Sequence, residues 1–205
     1  FLGGWVGFAA YDTVRYAEPG KLPESAAPPD DRGLPDLHFA WYDGVVVFDH
    51  VDKLVHAVVL AEAGPDDDAG AAYDAAIDRL RRRIAALRTH SEPMSGGLVR
   101  DLSASPRPLA SNMTRDQHAA MLARAAEYIR AGDVFQVVLG QRFERVSAAD
   151  PFDVYRALRV VNPSPYMVYM QARGCILVAS SPEILCRVRR GADGRFIVTN
   201  RPLAG

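Results

Sequence analysis

The chain has 205 residues, of which 49% are hydrophobic and 24% charged, and its formal net charge is −1. This length can bury a core for one or two domains, and the composition excludes a disordered chain. The near-zero charge removes the electrostatic basis for binding nucleic acid, and no apolar run approaches the roughly 20 residues that span a bilayer.

In chain order, Gly3-Gly4-Trp5-Val6-Gly7-Phe8 is glycine-rich and aromatic, and predicts a strand that lets another backbone come close. Pro19 to Pro35 predicts a long loop. Leu37 to Phe48 and Lys53 to Leu60 are β-branched and aromatic, and Asp49-His50-Val51-Asp52 between them reads as a hairpin turn. After a loop over 61–70, Tyr73, Ile77, Leu80, Ile84 and Leu87 recur at helical spacing, with Arg81-Arg82-Arg83 partly on the solvated outer face. The polar stretch from His90 to Ser111 reads as a linker, dividing the chain into domains 1–110 and 111–205. Thr114 and Gln117 then form a capping box for a helix carrying Met121, Leu122, Ala125 and Ile129, stopped by Gly132.

Val134 to Phe143 predicts an apolar strand. Asp150-Pro151 caps a helix running through Val160, and Asn162-Pro163 ends it. Strands follow over 166–171, 175–179, 184–188 and 195–199. Helix, strand, helix and then several antiparallel strands make an α+β order rather than an alternating βαβ one. Cys175 and Cys186 both lie beside apolar residues and read as small buried hydrophobes, which points to a reducing, cytoplasmic setting. No P-loop, serine-hydrolase elbow or paired-histidine metal signature is present, and the five histidines are scattered. The residues alone reach no further than an α+β domain with a polar site near Ser180-Ser181-Pro182-Glu183.

An ordered set of motifs reaches further. It comprises Gly3-Gly4-Trp5-Val6-Gly7, Tyr11-Asp12-Thr13-Val14-Arg15-Tyr16, the run from Gly132 to Phe143, Asn162-Pro163-Ser164-Pro165-Tyr166-Met167, Ser180-Ser181-Pro182-Glu183 and Arg201-Pro202-Leu203-Ala204-Gly205. In this order the set resembles the chorismate-utilising enzymes, in particular the anthranilate synthase large subunit. The resemblance implies an α+β fold with antiparallel sheets packed together and helices on the outer faces. It also implies a lyase that converts chorismate and ammonia to anthranilate and pyruvate in tryptophan biosynthesis, with a glutamine amidotransferase subunit as partner, tryptophan as feedback inhibitor and Mg²⁺ as cofactor. There is no initiator methionine, and both ends read as cut within a domain. On that reading the Mg²⁺ ligands lie beyond residue 205, no metal ligand lies within the chain, and the chain by itself is expected to be inactive.

The resemblance assigns roles residue by residue. Glu183 matches the general acid that protonates the leaving C4 hydroxyl; packed among strands, it would have a raised pKa. From its surroundings in sequence alone, it is a surface glutamate after a turn. Gln136 stands where water-using members carry a lysine, which suits an amination enzyme. Ala204 stands where the aminodeoxychorismate branch carries a nucleophilic lysine, and so argues against that alternative. Gly205 matches a backbone N–H donor to a substrate carboxylate. Asn162, Pro163, Pro165, Tyr166 and Met167 match part of the tryptophan site, although the bland reading is a turn into a strand. A second alternative is a non-catalytic module that binds tryptophan or a partner chain. Three positions depart from the family pattern: Ala10 and Ala179 replace glycine, and Gly140 replaces serine or alanine.

Overall fold

The computed structural model describes residues 1–89 and 109–201. Most of the expected linker, with His90, therefore lies outside the described residues, as do Ala204 and Gly205. The chain divides into two compact units, 1–96 with 170–175 and 97–169 with 176–205.

In the first unit, β1 (Gly4–Ala9) pairs antiparallel with β2 (Leu37–Tyr42). Trp5 and Trp41 face each other across this pair in an edge-on contact with centroids 5.5 Å apart. The close approach expected of the glycines is real. A Cβ on Gly7 would collide with the His38 carbonyl on the partner strand. The chain leaves β1 through a short helical turn, α1 (Val14–Ala17), where Arg15 pairs with Asp12 at 2.8 Å and the Tyr16 hydroxyl donates to Asp36 at 2.8 Å.

The expected strand from Leu37 to Phe48 is two strands. It breaks at Asp43, and β3 (Gly44–Asp49) pairs with β4 (Leu54–Val59) instead of continuing β2. The turn between β3 and β4 falls where expected. The Asp49 carboxylate accepts from the amides of Asp52 at 3.0 Å and Val51 at 2.8 Å, and these bonds hold its pKa below the usual carboxylate range.

The long helix α2 (Ala69–Thr89) begins at Asp68, whose carboxylate accepts from the Gly70 amide at 2.8 Å. Its inward stripe is Ala72, Ala76, Ile77, Leu80 and Ile84, together with Arg79 and Arg83. Tyr73 and Leu87, expected on that stripe, are exposed. Arg81 and Arg82 are solvated, but Arg83 is not. It donates to the Val58 carbonyl at 2.8 Å and to Asp43 at 2.9 Å, while Arg79 donates to the Leu60 carbonyl at 2.8 Å. Gly44 makes room for this clamp, because a Cβ there would strike both the Val58 carbonyl and the Arg83 guanidinium.

In the second unit, a two-residue strand β5 (Ala110–Ser111) precedes α3 (Arg115–Ala131). The capping box forms as read. Gln117 N donates to Thr114 Oγ1 at 3.2 Å, and Thr114 N donates to Gln117 Oε1 at 2.8 Å. Gly132 ends the helix at φ 80°, a left-handed conformation that suits glycine.

The strand expected over Val134 to Phe143 reduces to β6 (Phe143–Glu144), paired with β5. A strand needs a neighbour to take its amides and carbonyls, and among the described residues 134–142 pair with none in a ladder. Phe135 is 88% exposed and Val138 82%.

The helix α4 (Pro151–Val161) starts on Asp150, which accepts from the Phe152 amide at 2.7 Å. It seats Phe152 and Tyr155 against Tyr169 at centroid separations of 5.2 and 6.1 Å. Tyr169 lies on β7 (Tyr166–Ala172), which forms a hairpin with β8 (Cys175–Ser181) through Arg173-Gly174. The strand expected at 184–188 shifts to β9 (Arg187–Arg190), because its partner β10 (Phe196–Thr199) sets the register from Arg187↔Thr199 to Arg190↔Phe196. Cys175 is half-buried and Cys186 exposed, so neither is the buried hydrophobe expected from its neighbours; both are free.

The fold is α+β, with antiparallel strands joined two by two and helices beside them. This is the fold class that the sequence predicts.

Two outcomes follow. Arg83→Ala should destabilise β3–β4 by about 1–2 kcal/mol, through loss of a charged donor to a strand carbonyl. Hydrogen exchange at the β4 amides would show it, and unchanged protection would refute it. Thr114→Ala should cost about 1 kcal/mol, read as faster exchange confined to the first turn of α3.

Candidate functional site

The polar site lies where the β7–β8 hairpin opens. After α4, Asn162-Pro163-Ser164-Pro165 carries the chain into β7. On the other side, β8 runs out into Ser180-Ser181-Pro182-Glu183. Two serine hydroxyls cross the gap. Ser180 Oγ donates to the Asn162 carbonyl at 2.9 Å, and Ser164 Oγ donates to the Ser181 carbonyl. Within the turn, the Glu183 amide donates to Ser181 Oγ at 3.4 Å, and Ser181 Oγ donates to the Glu183 carbonyl at 3.1 Å. Proline at 182 has no amide to donate, so these bonds engage the donors the turn has left.

Glu183 lines a cleft with Tyr166, Pro182, Ile184 and Arg201. The cleft encloses about 170 Å³. A complete small-molecule pocket holds roughly 300–1,000 Å³, so the cleft is smaller than one. Glu183 is exposed, not packed among strands as the sequence reading expected. The Tyr166 hydroxyl accepts from Arg187 at 3.2 Å. The cleft thus sets a carboxyl and a guanidinium, Glu183 and Arg201, on one surface beside an aromatic ring. Such a surface can give a proton to one oxygen of a ligand and receive an anionic group of the same ligand.

Of the residues named from sequence, Asn162, Tyr166 and Glu183 come together here. Pro163 and Pro165 are exposed in the connecting segment, and Met167 is half-buried on β7. Gln136 is half-buried in the irregular run after α3 and does not line this cleft. Ser164, Ser180 and Arg201 were not assigned roles, although all three lie inside the quoted motifs. Their signal is a serine between two prolines, a serine opening Ser180-Ser181-Pro182 and an arginine opening Arg201-Pro202. Among the described residues, no three His, Cys, Asp or Glu side chains are grouped to hold a metal ion. No helix among them is long and apolar enough to cross a membrane.

The departures from the family pattern carry no backbone strain. Ala10 sits at φ −69°, and Ala179 is not among the residues with positive φ, so neither position needs glycine for its conformation. Nothing lies within 4 Å of a Cβ built on Gly140.

The profile of the chorismate binding enzyme family matches residues 2–205. The chain is similar to the anthranilate synthase alpha subunit 1, chloroplastic, of Oryza sativa subsp. indica, with 51% identity over all of this chain and 35% of that protein. It is 42% identical to anthranilate synthase component 1 of Thermus thermophilus, again over its whole length and 40% of the relative. The crystal structure of anthranilate synthase component I from Streptococcus pneumoniae TIGR4 superposes with a TM-score of 0.72 at 32% identity, covering 93% of this chain and 41% of that one. The chain therefore spans well under half the length of these relatives. With a match that runs from residue 2 to residue 205 and takes in every motif of the cleft, the chain belongs to the chorismate binding enzyme family.

Proposed function

We propose that this chain is part of the chorismate-binding subunit of an anthranilate synthase, a lyase that turns chorismate and ammonia into anthranilate, pyruvate and water in tryptophan biosynthesis. One observation carries the reading: the family match embraces the clasped turn that presents Glu183 to a cleft shared with Tyr166 and Arg201.

In this reading the C–N bond forms at C2 of chorismate as the C4–O bond breaks. Hydroxide is a poor leaving group, so Glu183 supplies the proton with which it departs as water. Gln136 suits this chemistry because ammonia is already a nucleophile and needs no base to activate it. The absence of lysine at Ala204 fits the same branch, and the Gly205 amide is assigned to a substrate carboxylate. The ammonia comes from a glutamine amidotransferase partner. Magnesium enters only as an ion held by residues outside this chain. Residues 1–110 belong to the regulatory side and 111–205 to the catalytic side, in a cytoplasmic protein whose two cysteines are free.

Tryptophan is the proposed inhibitor, held in part by Asn162, Pro163, Pro165, Tyr166 and Met167. Prolines and an aromatic ring make a stiff apolar wall suited to an indole.

In the full-length protein, Glu183→Gln should lower kcat by roughly 10²–10⁴-fold with chorismate binding largely kept, because an amide can hydrogen-bond the C4 hydroxyl but cannot deliver its proton. Near-normal turnover would rule out Glu183 as the acid. Met167→Thr should relieve tryptophan inhibition with little change in the uninhibited rate. The residue touches the effector and not the reacting carbon, so only the differential binding of effector changes. Unaltered sensitivity to tryptophan would rule out the regulatory assignment.

A further inference from the structure

The two serine bonds at the mouth of the β7–β8 hairpin are more than turn closure. They join the segment 162–166 directly to the turn that carries Glu183, through Ser180 to the Asn162 carbonyl and Ser164 to the Ser181 carbonyl. Both serines are half-buried, whereas Asn162, Pro182 and Glu183 are exposed. The clasp is thus the anchored part of an otherwise solvated turn. Ser164 also accepts from the Tyr166 amide at 3.4 Å, and Tyr166 itself lines the cleft with Glu183. One small network therefore touches the start of β7, the end of β8, and the backbones of Tyr166 and Glu183, two residues that line the cleft.

We propose that Ser164 and Ser180 are positioning residues. They hold the Glu183 turn against the 162–166 segment, so that the direction of the carboxyl and the conformation of that segment are set together. An exposed glutamate on a free turn samples many directions. A turn tied at two backbone carbonyls samples few, and proton transfer falls steeply when the donor is misplaced by an ångström. The same tie gives a ligand bound at 162–167 a physical route to the acid, because displacing the Asn162 carbonyl moves the hydroxyl that holds the turn. This inference rests on the reading of Glu183 as the acid and of 162–167 as the tryptophan segment.

The test uses the full-length protein with ammonia as nitrogen source, so that the partner subunit is not needed. Ser164→Ala and Ser180→Ala are made singly, together, and in the Glu183→Gln background, with Ser164→Thr and Ser180→Thr as versions that keep the hydroxyl. The double alanine variant should lose about tenfold or more in kcat, with the KM for chorismate within about threefold, and the threonine variants should recover most of the rate. In the Glu183→Gln background the same changes should cost nothing further. Tryptophan, followed by equilibrium dialysis, should still bind the double variant while its inhibition becomes partial. If the double alanine variant does not fold, Ser180→Ala alone serves for every comparison. A rate within about twofold of wild type beside an impaired Glu183→Gln would overturn the inference and leave the acid assignment standing, as would an equal loss in both backgrounds. Inhibition that stays complete would overturn the coupling. Normal turnover by Glu183→Gln alone would remove the acid assignment, and the positioning role with it.

Discussion

A backbone carbonyl or amide that leaves water must find a partner, and in this chain that requirement is met locally, pair by pair. Strands exist where an antiparallel neighbour is at hand, as in β1–β2, β3–β4 and β9–β10. Over 134–142, which joins no ladder among the described residues, an apolar β-branched run stays irregular in spite of its composition. Carbonyls that strand pairing leaves open draw in side chains. Arg79 and Arg83 reach from α2 to the Leu60 and Val58 carbonyls, and Ser164 and Ser180 reach across the mouth of the hairpin to Ser181 and Asn162.

The arginine clamp explains several features of the first unit together. Asp43 interrupts what would be one long strand and turns its carboxylate toward Arg79 and Arg83. Gly44 follows because the clamp and the β4 backbone leave no space for a Cβ. The inward face of α2 can then carry two arginines, since their charge is met by Asp43 and each also donates to a backbone carbonyl, Leu60 or Val58. A helix face with arginine in its stripe is stable under these conditions and not under a purely apolar arrangement.

The cleft follows the same logic at a smaller scale. Its carboxylate residue, Glu183, is presented by a turn whose geometry comes from proline, with no amide to give, and from serine hydroxyls that bond the backbone on either side. The turn stays exposed, so the carboxyl is reachable, while the serines that hold it are half-buried. Exposure of the carboxyl and partial burial of the groups that hold its turn are thus divided between neighbouring residues.

The sequence alone determined the features whose physics is local. These are the capping box at Thr114 and Gln117, the left-handed stop at Gly132, the Asp150-Pro151 start of α4, the Asp49 turn and the tight approach at Gly7. Each depends on a few adjacent residues or on the absence of a Cβ, so type and spacing suffice. The ordered motifs also carried the family, and with it the position of Glu183. Only the tertiary structure decided which strands pair. It split 37–48 at Asp43, moved the 184–188 strand to β9, kept 134–142 out of any ladder among the described residues, and turned Arg83 inward, because hydrogen-bond partners distant in sequence cannot be read from composition. The exposure of Glu183 and its tie to Asn162 through Ser180 belong to this second kind. The paired residues of the clasp are 18 and 17 apart in the chain, and they meet only because a hairpin brings its two ends together.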